Sequence, residues 1–131
     1  MIQVLVQRDR QHRPVAVEIR GHALFAEYGQ DIVCAAVSML VQTVVFALDE
    51  LLALKPVLRV QEGYLLLARP KKLGQDRDKE KKYYLLLETM LLGMRKAASA
   101  YAANLCYREK GISRLRTAEH RNTDRNTDRR R

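Results

Sequence analysis

With only two cysteines, Cys34 and Cys106, the chain lacks the material for a disulfide framework. Both lie in apolar surroundings, and the opening "MIQVLVQRDR" carries charge by residue 8, so no signal peptide is expected. Together these features point to a reducing cytoplasm. An uncharged run long enough to cross a bilayer is also missing. Ile32 to Leu48 is seventeen residues, contains Ser38, Gln42 and Thr43, and falls short of the roughly 20 a span requires. No membrane partner is expected, and this run reads as a buried core helix. Aromatic residues make up only 6% of the chain, and no run interleaves them with basic residues as an RNA-recognition motif would.

What is present describes a globular domain. At 131 residues, 47% hydrophobic and 30% charged, the chain is long enough for one domain with a real core. The net charge of +9 is uneven. From Arg108 to Arg131 nine Lys or Arg face four Asp or Glu, whereas the first 107 residues hold fifteen against eleven. The tail also contains the repeat "RNTDRNTD" and ends in three arginines, a low-complexity composition that predicts disorder. We therefore expect a domain over residues 1–110 and a basic tail over 111–131. Its charge suits an anionic partner such as RNA, or simply a solvated end.

Alternation places Ile2, Val4 and Val6 opposite Gln3, Leu5 and Gln7, and Val15, Val17 and Ile19 opposite Ala16, Glu18 and Arg20. Two half-buried strands around the turn "RDRQHR" form an opening hairpin. Gly21 permits a sharp exit, and Ala23 to Gln30 reads as a loop. A helix follows from Ile32 to about Leu54, ending before Pro56, with Asp31 as its N-cap. Being apolar nearly all round, it should be covered on most faces, in part by another subunit. Val57 to Val60 and Tyr64 to Ala68 are two more strands about the turn "QEGY". Arg69 to Lys82 reads as a charged connector and Tyr83 to about Ala103 as a second helix; "NLCYRE" either continues that helix or forms a short closing strand, the strand being preferred. The fold class is α+β, with a sheet of four to five antiparallel or mixed strands packed against two helices.

The chemistry concentrates in "GHALFAEYGQDIVCAAVS", Gly21 to Ser38. With Asp31 as cap, Cys34 falls in the first helical turn, where unpaired amides and the positive helix end favour an anion. A thiolate there can attack a carbonyl, and the same amides can bind the resulting oxyanion. His22, leaving the end of a strand, suits the base that later protonates the leaving amine. Ser38 lies one turn beyond Cys34 on the same face, and Gln42 a further turn on. Asp31 has two candidate roles, capping the helix or orienting the imidazole. The bland reading stands beside this one. A cysteine within "IVCAAV" is by type usually an inert core residue, and a single histidine after a strand is usually incidental. The residues alone leave both readings open. Cys106 has no nearby histidine and reads as core; His12 and His120 read as incidental.

Gly21, His22, Gly29, Asp31, Ile32, Cys34, Ala35, Ala36 and Ser38 together resemble the signature of the ribosomal-processing cysteine protease family, Prp. The likeness extends more loosely over about residues 1–110, through "EGYLLL" and "YAANLCYREK". It implies a cytoplasmic cysteine endopeptidase with Cys34 as nucleophile and His22 as base, supported by Asp31 and Ser38, with Gly21 and Gly29 shaping the backbone. It also implies a homodimer, and a flexible loop between His22 and Cys34 that shapes the substrate groove. The family's substrate is the N-terminal extension of a large-subunit ribosomal protein, number twenty-seven in the bacterial naming. From residue type, Leu24, Phe25 and Tyr28 are the candidates to bind the extension's aromatic-rich end. No cofactor or metal is expected. Two features depart from the family pattern: residues 111–131 and the charge of Arg69 to Lys82. They keep a second reading open, a noncatalytic ribosome- or RNA-associated module that binds through its basic segments.

Overall fold

The computed structural model describes residues 1–21 and 32–111. Along the chain run β1 (Ile2–Arg8), β2 (Pro14–Arg20), α1 (Ile32–Leu52), β3 (Val57–Gln61), β4 (Tyr64–Ala68), α2 (Arg77–Ala100) and β5 (Leu105–Gly111). The strands form one sheet in the order β3-β4-β2-β1-β5. Its first three pairings are antiparallel and the last, β1 with β5, is parallel. This mixed five-stranded sheet against two helices is the expected α+β class, and it includes the closing strand.

Period-two alternation decides which face is dry. Ile2, Val4, Val6, Val17, Ile19, Leu65, Leu67 and Leu105 are buried on one side of the sheet. They share a single core with Val37, Val41, Val44 and Leu48 of α1 and with Tyr83, Leu87, Met90, Leu91 and Met94 of α2. Each such side chain contributes about 1.5–3 kcal/mol through removal from water. Gly93, inside α2, has a packing reason. A Cβ there would lie 3.1 Å from both terminal carbons of Leu40 on α1, so the bare backbone lets the helices close together.

Several expectations change. The second helix begins at Arg77, six residues earlier than Tyr83, so much of the charged connector is helical. Asp76 caps it, accepting from the amides of Asp78 and Lys79, while Asp78 and Glu80 complement the positive helix end. That helix ends at Ala100, not Ala103, and the first ends at Leu52, not Leu54. There Ala53 takes φ 53°, and the Leu54 amide donates to the Leu48 carbonyl in a Schellman-type stop. Among the described residues of one chain, α1 is covered on one face, and Ala35, Ala36, Met39, Gln42, Thr43 and Phe46 are exposed. By length and composition its 21 residues could cross a membrane, but its buried stripe is the core of this domain. Cys106 is half-buried rather than core, because its register with Gln3 turns it to the outer face of the sheet.

Candidate active site

The site is built where β2 ends and α1 begins. After Arg20 the chain turns at Gly21, whose φ of 125° is a conformation other residues rarely adopt. A Cβ at this position would sit 2.5 Å from the Met1 carbonyl oxygen and 3.1 Å from the Ile2 Cα, so glycine is also required by space. The Gly21 amide donates to the Gly63 carbonyl at 3.0 Å. The strand end leading into His22 is thus held by the start of β1 on one side and by the β3–β4 turn on the other. Gly63, at φ 69°, gives that turn its shape. The sequence signalled the turn through "QEGY" but not its contact with Gly21, because register across a sheet is not local information.

Cys34 is the third residue of α1. Amides in a helix's first turn have no acceptor within the helix, so the thiol lies at the donor-rich, positive end of a 21-residue dipole. Cys34 is also 8% exposed and belongs to the domain core, between Val33 and Val37 on the same buried stripe. The two sequence readings, core cysteine and helix-start thiol, therefore describe the same residue. Packing fixes where the sulfur can go, and the helix start supplies the field. Ser38 follows one turn later, half-buried, while Gln42 is exposed.

Beside Gly21, Arg20 stacks over the Tyr64 ring with its guanidinium carbon 4.7 Å from the centroid. The Tyr64 hydroxyl donates to Glu18 at 3.0 Å. Desolvation and this hydrogen bond raise the phenol above its ordinary pKa, so it stays neutral. Among the described residues no group of three or more His, Cys, Asp or Glu is placed to hold a metal ion. Of the sequence-predicted site, Gly21, Cys34 and Ser38 are described. His22, Leu24, Phe25, Tyr28, Gly29 and Asp31 lie outside the described residues.

A thiol in the first turn of the core helix, on a two-layer α+β frame, defines the class as a candidate cysteine hydrolase. Comparison with known proteins narrows it. The pattern described as "Cysteine protease Prp" matches residues 1–106. The chain belongs to this family and is a cysteine protease. It is 36% identical over 107 residues to the ribosomal processing cysteine protease Prp of Bacillus subtilis (strain 168), covering 80% of this chain and 94% of that one. Two solved structures share the fold. Prp from S. aureus in complex with a substrate peptide is 26% identical, with TM-score 0.70 over 84% of this chain and all (100%) of that one. The same S. aureus protease with a covalently linked product peptide is 27% identical, with TM-score 0.71 over the same shares, 84% and 100%.

Proposed function

We propose that this protease cleaves peptide bonds through a dyad of Cys34 and His22, and that its substrate is the N-terminal extension of large-subunit ribosomal protein twenty-seven. The observation that carries the reading is the position of Cys34, in the first turn of α1 at the site end of the fold. His22, which directly follows the constrained Gly21, takes the thiol proton as Sγ attacks the scissile carbonyl. Amides of the first helical turn bind the oxyanion. As the tetrahedral intermediate collapses, the C–N bond breaks, and the imidazolium returns its proton to the leaving amine. Water, deprotonated by His22, then attacks the thioester, and the carboxylate product leaves with Cys34 restored. The covalently linked product peptide in the S. aureus relative supports a covalent route.

Asp31 and Ser38 support the dyad, with Asp31 either capping α1 or orienting His22. Gly29 is a further supporting residue, and Leu24, Phe25 and Tyr28 bind the substrate's aromatic end. The protease works in the cytoplasm as a homodimer, with residues 111–131 as a basic extension of the domain.

The test is incubation with a peptide spanning the precursor's extension, using the wild type, Cys34→Ala and His22→Ala. Both variants should lose cleavage by at least about a thousandfold. Cleavage persisting in Cys34→Ala would end the dyad mechanism. Cleavage of unrelated peptides at equal rate would end the substrate assignment.

A further inference from the structure

The outer face of the sheet, which neither α1 nor α2 covers among the described residues, carries an ordered pattern of charge. Strand register sets three rows across it. The middle row runs Arg59, Leu66, Glu18, Leu5, Arg108; the row on one side holds Arg20 and the row on the other holds Lys110. Four cations thus share the face with one acid. Glu18 is already engaged, accepting from Tyr64 at 3.0 Å and lying 3.9 Å from Arg20. Arg59, Arg108 and Lys110 are exposed, and the Arg20 side chain is 61% exposed. The two arginines of the middle row stand on opposite edge strands, about 19 Å apart at the usual strand spacing.

We infer that this face is a docking surface for single-stranded RNA, held through its phosphates. Charge complementarity calls for a polyanion, and the shape selects among polyanions. A five-stranded sheet is too broad for a duplex major groove, which admits a helix or a two-stranded ribbon. A single strand can lie flat across the rows, with Arg20 and Arg59 beside Tyr64 offering planar cations to bases. A bilayer fits poorly, because binding there needs apolar side chains that insert. Leu5 and Leu66 are half-buried, and the exposed large apolar residues sit on the helices, at Met1 and Tyr101, and at Leu58 and Val60, which the alternation turns inward. The inference is independent of the protease mechanism, since none of the four cations belongs to the dyad.

The test uses the full chain and a fluorescein-labelled oligouridylate of about 20 nucleotides, longer than one such platform contacts. Anisotropy is followed from about 50 to 200 mM salt. Arg59→Glu with Arg108→Glu should weaken binding by at least about tenfold and reduce the salt slope by about 1.4. Lys81→Glu with Lys96→Glu, an equal charge change on exposed positions of α2, should leave both nearly unchanged. Arg59→Gln with Arg108→Gln serves as a milder pair, and thermal melts verify that each variant folds. Equal losses in the face and helix pairs would reduce the effect to net charge and overturn the inference. Undiminished binding in the face pair would assign RNA to residues outside the sheet and overturn it equally. Wild type that binds anionic vesicles but not the oligonucleotide would replace RNA with a lipid surface.

Discussion

At the start of β1 the Met1 carbonyl and the Gly21 backbone approach so closely that no Cβ fits between them. At its far end Arg8 directs all five of its N–H groups into hydrogen bonds with Glu88, Glu109 and the His12 carbonyl. The first end is closed by main chain and shape, the second by charge. Beyond Arg8 the pattern continues. Asp9 accepts from Arg13 and Arg69, Arg69 also donates to Tyr84, and Arg13 stacks over the Tyr84 ring with its guanidinium carbon 5.2 Å from the centroid. These links join β1, β5 and α2 with the residues that flank β2 and β4, at the end of β1 opposite Gly21. The two ends of one strand are therefore held by different forces. The distal end is held by long charged side chains, while the Gly21 end is set by a close main-chain contact, with the Arg20, Tyr64 and Glu18 side chains beside it.

Gly21→Ala should break that division most severely. The added Cβ meets a carbonyl oxygen at 2.5 Å and a φ of 125° at once, so the strand end leading to His22 must move. A displacement near 1 Å costs a catalytic site on the order of a hundredfold, and we expect kcat/KM to fall by about that much. Stability should fall as well, by roughly 1–3 kcal/mol, the cost of one strained residue. Unchanged kcat/KM in a folded Gly21→Ala protein would show that the site end is not positioned by this contact. Arg8→Met should give the opposite profile. It removes hydrogen bonds from a side chain only 12% exposed. Because Glu88 is 42% exposed and can rehydrate, the loss is expected near 2 kcal/mol rather than the larger cost of a fully buried pair. Denaturant melts should register that loss, with cleavage rates preserved below the transition. A drop in kcat/KM comparable to that of Gly21→Ala would mean that the two ends are coupled.

The same contrast explains what the residues revealed in advance. β1, β2 and β4 were legible because alternation over five to seven residues is a local signal. The start of α2 was not, since its first turns read as a string of charges and only Asp76 marks a cap. The arginine network was equally hidden, because Arg8 meets Glu109 only through the parallel pairing of β1 with β5. For the site, Cys34 at a helix start followed from the sequence; its simultaneous burial did not, because "IVCAAV" is compatible with either face. His22 and Asp31 lie outside the described residues, so their roles rest on residue type, position and the motif.

Acid should separate the two ends more gently. Burial would raise the Glu109 carboxyl, but hydrogen bonds from Arg8 and Tyr107 outweigh it and hold the group below the ordinary glutamate range. Asp9 is likewise favoured towards protonation by burial and held below its ordinary value by Arg13 and Gln11. Both depressed carboxyls bind protons more tightly in the unfolded chain. Their stabilisation is therefore complete above the unfolded values near pH 4 and is lost as pH falls through the folded ones. Melting temperatures measured from about pH 6 to pH 3 should hold level and then decline. In Arg8→Met the Glu109 carboxyl loses its main partner, so the decline attributable to it should flatten. Gly21→Ala touches no carboxylate and should keep the full wild-type slope from a lower starting point. Parallel acid profiles in wild type and Arg8→Met would show that the distal end is held by packing, and the contrast between the two ends would then rest on Gly21 alone.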